Sequence, residues 1–275
     1  MQLFGGASEP LFRFASFAAI FVAMALLELA SPKRTPRRAK TRRWATNLAI
    51  VGLGIVVVRL LAFLAAPLVA VGAALIAEQK CWGLLNFVDW PGVLEIGLAV
   101  VALDFALWFQ HWASHKVPIL WRLHRMHHAD VDLDVTTALR FHPIEIGLSM
   151  LYKVAWVLAL GAAPLGVVLF EVFLNSCAVF NHANVDLPRR LEGILRLLLV
   201  TPDMHRVHHS VERREHDTNF GFNLSVWDRL FRTYTPEPEK GHLGMTIGLE
   251  PYQSDAPTRL GWSLALPFRG PSRLE

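Results

Sequence analysis

Four apolar stretches near or beyond the length of a bilayer crossing constrain this chain more than any other feature. A hydrocarbon core about 30 Å thick takes roughly 20 apolar residues in a helix. Phe14 to Leu29 comes near that length, and Val93 to about Trp112 meets it. Ala45 to Ala77 and Ile146 to Phe180 exceed it. Only 18% of the 275 residues are charged, while 53% are hydrophobic. A soluble domain carries about a quarter charged residues, so the apolar excess is expected to face lipid. The fold class expected is all-α: a polytopic membrane helical bundle.

Charge sets the topology. The flank before Phe14 is poor in positive charge, which argues against a cleaved signal peptide. After Leu29 comes "SPKRTPRRAKTRR", residues 31 to 43, which holds much of the net +4. Between two apolar segments this run reads as a cytoplasmic topology signal, ahead of a nucleic-acid patch. The N-terminus is then outside. Arg59 and Pro67 interrupt the second stretch. An arginine at mid-depth costs about 2.5–3.5 kcal/mol on insertion scales, so Arg59 should face protein or snorkel. Pro67 either kinks the helix or begins a second, shorter one. Glu78 to Trp90 falls outside or at the interface, and the third stretch returns the chain to the cytoplasm. "LGAAP", Leu160 to Pro164, reads as a turn inside the fourth stretch. A helical hairpin with both ends cytoplasmic keeps all the histidines on one side, a choice that leans on the metal hypothesis below.

Cys81 and Cys177 sit in apolar surroundings and form neither a disulfide framework nor a CxxC site. No internal repeat or low-complexity tract is present. The division expected is 1–92, N-terminal spans and basic loop; 93–235, the histidine-bearing unit; 236–275, a C-terminal tail. Ala, Leu and Arg usage favours a bacterial inner membrane, or an ER-type membrane if the source is eukaryotic.

Twelve histidines are present, and most are clustered. "HWASH" supplies His111 and His115, "HRMHH" supplies His124, His127 and His128, and "HRVHH" supplies His205, His208 and His209. In a helix, spacing of i, i+3 and i+4 puts each group on one face. Thr201 and Pro202 in "TPD" suit an N-cap and a first helical residue. A single histidine is usually a surface or core residue. Eight in three one-face groups would repel as cations, whereas neutral imidazoles around metal ions would not. Eight nitrogens exceed one tetrahedral or facial-triad site, so a dinuclear centre in a cytoplasmic cap is expected. The clustered histidines lack the ExxH pairing of soluble carboxylate di-iron bundles.

His182, in "FNHANVDLP", could reach the site as a ninth ligand. His142, in "RFHPIE", suits a supporting or substrate-contacting position better than ligation, and His216 and His242 are expected in solvent. A ligating imidazole commonly gives its second N–H to a carboxylate or carbonyl. Asp104, seven residues before His111, is a candidate partner, with Asp130, Asp134, Asp203 and Asp217 as others. Trp227, Phe231 and Tyr234 in "WDRLFRTY" would share one face of an interfacial amphipathic helix. No GxSxG nucleophile elbow is present, and no catalytic residue separate from the histidines is expected.

HxxxH, then HxxHH, then a distant HxxHH in an apolar polytopic chain resembles the fatty acid hydroxylase / sterol desaturase superfamily. The likeness runs over about residues 93 to 235 and includes "RFHPIE", "NHANVDLP", "TPDMHRVHH" and "DTNFGFNLSVWDRLFRTY". Two positions depart from the family pattern: Phe220, where Tyr is common, and Arg232, where Gly is common. Neither is a histidine position, so they bear on substrate fit rather than on the metal chemistry. The resemblance implies two iron ions held by the nine histidines, with Asn184 of "NHANVDLP" among the supporting residues. It implies O2 as co-substrate and a lipid C–H bond as target, for hydroxylation or desaturation. It also implies a separate electron donor, such as a cytochrome b5-like protein, a ferredoxin or a reductase. Zinc can replace iron in such sites. A zinc-dependent membrane hydrolase and a non-catalytic metal-binding membrane protein are the rival readings. The histidines lie beside the spans, with little that is ionisable deep inside them except Arg59, Asp104, Lys153 and Glu171, which argues against a transport path.

Overall fold

The computed structural model describes residues 8–270. Among them the regular structure is helical, with isolated bridges but no strand. In chain order come α1 (Ser8–Ala30), α2 (Lys40–Leu64), the shorter α3 (Ala70–Lys80), α4 (Gly92–Lys116) and α5 (Pro118–His128). α6 (Pro143–Leu160) and α7 (Pro164–His182) follow as a hairpin. The rest is short: α8 (Arg189–Leu195), α9 (Pro202–His208), α10 (Arg213–His216), α11 (Val226–Leu230), α12 (Gly241–Gly244) and α13 (Leu260–Ala265).

Among the described residues, five helices are long and apolar enough to cross a membrane: α1, α2, α4, α6 and α7. Leu26, Phe63, Val93 and Leu148 are exposed on their outer faces, as lipid contact requires. Pro67 does not kink α2; it lies between the two helices, three residues before α3 begins at Ala70. A single 3-10 turn at Ala66–Leu68 separates α2 from α3. Ala70, Ala73, Ala74 and Ala77 line one buried face of α3. Side chains that small let α3 come close to α6 and α7. Around them Leu103, Val157, Val167 and Phe170 complete the apolar core between α3, α4, α6 and α7.

The expected hairpin turn is present. Gly161, with φ 68, ends α6, and Gly83, with φ 97, lies directly against it. A Cβ on Gly83 would come within 2.0 Å of the Gly161 nitrogen, so this approach needs glycine. The α6–α7 turn and the 81–91 loop thus share one end of the bundle. The clustered histidines and the basic linker share the other.

At that end the basic run folds inward. Arg43 is buried, donating from Nε to Asp130 Oδ1 at 2.7 Å and from Nη1 to Asp134 Oδ2 at 2.7 Å. Its Nη2 also reaches the Asp132 carbonyl at 2.9 Å. Such a buried pair is tolerable when each charge is fully hydrogen-bonded. Burial raises the Asp130 carboxyl, but the Arg43 guanidinium beside it outweighs burial and holds it down at about 2. The backbone N–H of Arg37 donates to Asp132 Oδ1 at 2.8 Å, and Lys33 Nζ to Asp186 Oδ1 at 2.8 Å. The 245–268 segment folds over α5, held by Arg125 to the Leu266 carbonyl at 2.7 Å and Arg140 to the Pro257 carbonyl at 2.9 Å.

The "WDRLFRTY" segment corrects the amphipathic-helix expectation. α11 covers only Val226–Leu230 and stops because Arg232 adopts a left-handed φ of 58. Trp227 Nε1 donates to Asp104 Oδ2 at 2.7 Å, and Phe231 stacks on Trp108 with centroids 4.5 Å apart. These rings pack on α4 instead of forming one membrane-facing stripe.

Candidate metal centre

Four elements deliver the histidines to one place. α4 carries His111 and His115 on adjacent turns near its C-terminus. Pro118 starts α5, which brings His124, His127 and His128, in keeping with proline at a first helical position. His182 ends α7. Thr201 caps α9, its side chain accepting from the Met204 N–H at 3.3 Å, and α9 brings His205 and His208 with His209 as its C-cap. All nine rings are buried, none more than 3% exposed.

They fall into two groups. His111, His115, His124, His128 and His208 offer nitrogens that all lie within 4.8 Å of one another, as do His127, His182, His205 and His209. The groups abut: the His128 and His209 rings stack with centroids 4.6 Å apart.

Hydrogen bonds fix several rings through Nδ1. His111 Nδ1 meets the Phe220 carbonyl at 2.6 Å, His182 Nδ1 the Ala178 carbonyl at 2.7 Å, and His208 Nδ1 the Thr218 carbonyl at 2.7 Å. His124 Nδ1 meets Glu145 Oε1 at 2.7 Å. Carbonyls and carboxylates accept, so each of these Nδ1 atoms donates its proton. Each Nε2 then presents a lone pair.

Two of those lone pairs face each other: His111 Nε2 lies 3.1 Å from His124 Nε2. Two such acceptors cannot hydrogen-bond. The lone pair of His182 Nε2 meets His205 Nε2 at 3.1 Å and His127 Nε2 at 3.2 Å, two rings whose Nδ1 atoms have no partner among the described residues. Around one cation with bonds of about 2.1 Å, neighbouring ligand nitrogens stand about 3.0 Å apart at octahedral angles and about 3.4 Å at tetrahedral ones, a range that includes these separations. His115 Nε2, His208 Nε2 and both ring nitrogens of His128 and His209 are buried without a hydrogen-bond partner among the described residues. Burial first, and neighbouring imidazoles second, hold His127, His128, His205, His208 and His209 well below the ordinary histidine value. The rings are therefore neutral and able to donate. This set fits metal binding, with enough nitrogens in each group for one ion.

An apolar cavity of about 250 Å³ opens beside the first group. His111 and His124 line it with Leu107, Phe141, Met150 and Phe222, while Gln110, Ser149 and Asn175 add polar atoms.

Several supporting residues fall elsewhere than expected. Asp104 touches no histidine; it accepts from Trp227 and from the Leu224 N–H, and His111 bonds the Phe220 carbonyl instead. Asp130 and Asp134 serve Arg43, and Asp203 serves Arg206 and Lys33. Asn184 pins the linker by its Nδ2 to the Arg34 carbonyl at 2.7 Å. His142 caps α6, its Nδ1 accepting from the Ile144 N–H at 3.2 Å, and stands outside both groups. Asp217 Oδ1 lies 4.0 Å from His115 Nδ1, beyond direct hydrogen bonding, and its other oxygen pairs with Lys116.

His216 corrects the solvent expectation: it is buried, stacked on Trp121 with centroids 5.6 Å apart. His242 is half-buried, with Nε2 2.8 Å from Glu237. Glu145, the carboxylate that does hold a cluster ring, was not singled out from sequence. Its place in "RFHPIE" was the available signal.

Comparisons with known proteins place the chain in a family. The fatty acid hydroxylase family model matches residues 96–233. The ornithine lipid hydroxylase OlsE of Rhizobium tropici is 36% identical over 164 residues, 58% of this chain and 47% of that protein. Alkylglycerol monooxygenase of Xenopus tropicalis is 34% identical over 168 residues, 60% of this chain and 36% of that protein. The chain thus spans less than half the length of these two relatives. No solved structure matches it. With the match covering half of its residues, the chain belongs to the fatty acid hydroxylase family.

Proposed function

We propose that this protein is a di-iron, O2-dependent hydroxylase of a lipid C–H bond. One observation carries the reading: two adjacent groups of buried neutral imidazoles, with converging lone pairs, at the end of an apolar cavity. His111, His115, His124, His128 and His208 would hold one ion, and His127, His182, His205 and His209 the other. Iron bound there would supply the redox chemistry for O2 reduction and hydrogen abstraction. The net reaction takes R–H, O2, two electrons and two protons to R–OH and water.

The chain's own residues supply the setting. The Phe220, Thr218 and Ala178 carbonyls and the Glu145 carboxylate hold Nδ1 protons and keep Nε2 aimed inward. Phe141, Phe222 and Leu107 exclude water and orient an apolar chain. The relatives' names, a lipid hydroxylase and a monooxygenase, favour hydroxylation over desaturation and a polar lipid over a sterol. Electrons would come from a separate one-electron carrier docking at the histidine end. The basic linker shares that end, which supports a cytoplasmic location by the positive-inside rule. Residues 93–235 form the catalytic unit in this reading, with 1–92 as membrane scaffold and 236–275 as a covering tail.

Metal analysis of protein from iron-supplied cells tests the site. Two irons per chain are expected, with about one lost in His128→Ala and the other in His209→Ala, on the two-ion ligand count. Zinc at full occupancy together with hydrolysis of a lipid ester would overturn the proposal.

A further inference from the structure

Four membrane helices bring charged side chains to one cavity away from the histidines. Arg13 of α1, Arg59 of α2, Lys153 of α6 and Glu171 of α7 line a space of about 470 Å³, with Glu9 at its edge. Glu171 is buried and accepts from Lys153 Nζ at 2.6 Å and from Arg13 Nη2 at 2.5 Å. Glu9 accepts from Arg13 Nη1 at 2.9 Å. Arg59 has no hydrogen bond or ion pair among the described residues. Three cations therefore share two carboxylates, and one positive charge is left over. Ionisable groups within spans are costly, and those that persist face a partner, a cavity or a ligand.

This space adjoins the one beside the histidines and shares walls with it. Val51, Phe141, Ile146, Met150 and Lys153 line both. Lys153 lies eight residues beyond Glu145 on α6, about 12 Å along the axis at the helical rise. Glu171 lies eleven residues before His182 on α7, about 16 Å by the same rise. An extended hydrocarbon chain covers that span with roughly a dozen carbons.

We propose that the two cavities are one chamber for a single acyl lipid. Its oxyanion, a phosphate or a carboxylate, sits against Arg13, Arg59 and Lys153, and its chain runs toward His111 and His124. The charge surplus selects an anionic group, and the apolar wall between the two ends selects a chain. The proposal rests on the hydroxylase reading only for what happens at the chain's far end, where oxygen would enter roughly a dozen carbons from the oxyanion by the same chain length.

Binding to the purified, metal-loaded full chain in uncharged detergent tests it, with fluorescent phosphatidic acid, free fatty acid and diacylglycerol of equal chain length as probes. Arg59→Gln suits the test because the residue is exposed and unpaired, so its loss leaves no buried partner behind. It is expected to weaken the anionic probes by about tenfold or more, the scale of a charge-assisted contact, and to leave diacylglycerol unchanged. Arg59→Lys is expected to retain most of the binding. Tighter binding of phosphatidic acid or of fatty acid names the source of the oxyanion. Diacylglycerol binding as tightly as both anionic probes, or anionic binding unchanged in Arg59→Gln, overturns the proposal. Arg59-dependent binding without any oxygenated product supports this site and contradicts the hydroxylase reading.

Discussion

His111 Nε2 and His124 Nε2 face each other at 3.1 Å while both rings spend their Nδ1 protons elsewhere, His111 on the Phe220 carbonyl and His124 on Glu145. Two lone pairs held this way repel until a cation lies between them. The protein arranges that contact from residues on four segments, so its partners should tune how tightly metal is held.

Glu145 is the side chain best placed to show it. Glu145→Leu removes the acceptor for His124 Nδ1, and loss of such a partner typically costs about 10–100-fold in metal affinity or activity. Glu145→Gln keeps an acceptor and should fall between the two. Competition with a chromophoric chelator measures the affinities. Equal affinity in all three proteins would remove Glu145 from the site.

Acid should destabilise the metal-free protein. Folded His127, His128, His205, His208 and His209 titrate well below the ordinary value, held there first by burial. Unfolded, they take up protons below about pH 6.5. The unfolded state then binds more protons, so stability is full above about pH 6.5 and falls below it, by up to about 1.4 kcal/mol per pH unit for each ring. Thermal unfolding of chelated protein between about pH 7 and pH 5 should show Tm dropping steeply over that histidine range. A flat Tm would contradict a neutral, buried cluster.

Arg43 anchors the basic linker to the acids that follow the first HxxHH. Arg43→Met leaves Asp130 and Asp134 buried without their cation, and breaking a buried pair in this way costs about 3–5 kcal/mol. Arg43→Lys should recover only part, because an ammonium lacks the planar fork. Thermal unfolding in detergent measures both. Wild-type stability in Arg43→Met would show the clasp to be dispensable.

Arg232 holds a left-handed backbone with φ 58. A non-glycine residue there costs about 1–2 kcal/mol, against about 0.5–1 kcal/mol of extra chain entropy lost by glycine. Arg232→Gly is therefore expected to stabilise the protein by about 0.5–1 kcal/mol. A lower Tm would show that the arginine makes a compensating contact.

Much of this architecture was legible because it is periodic or local. Apolar length marked the spans, Gly161 and Pro164 marked the hairpin turn, and i, i+3, i+4 spacing marked the eight motif histidines that converge. His182 stood alone in sequence and was suggested only by its place at the end of an apolar run. The unread parts depend on distant pairing. Arg43 meets Asp130 across 87 residues, and Glu145 meets His124 across 21; no periodicity links either pair. The carbonyls of Phe220, Thr218 and Ala178 are backbone groups, which any side chain could accompany. His216 misled because its flanks, "VERREHD", are strongly charged, yet its ring is buried against Trp121. Arg59, Lys153 and Glu171 were visible as rare charges within spans, but not as the lining of one cavity.

The most direct test of the central claim follows isotopically heavy O2 into lipid. Cells expressing wild type or His128→Ala are grown under the labelled gas with an electron donor present, and their lipids are compared by mass spectrometry. A hydroxylated lipid carrying one heavy oxygen atom is expected in wild type and is expected to be absent from His128→Ala. Identical lipid profiles in the two strains, or a product whose oxygen comes from water, would contradict that claim.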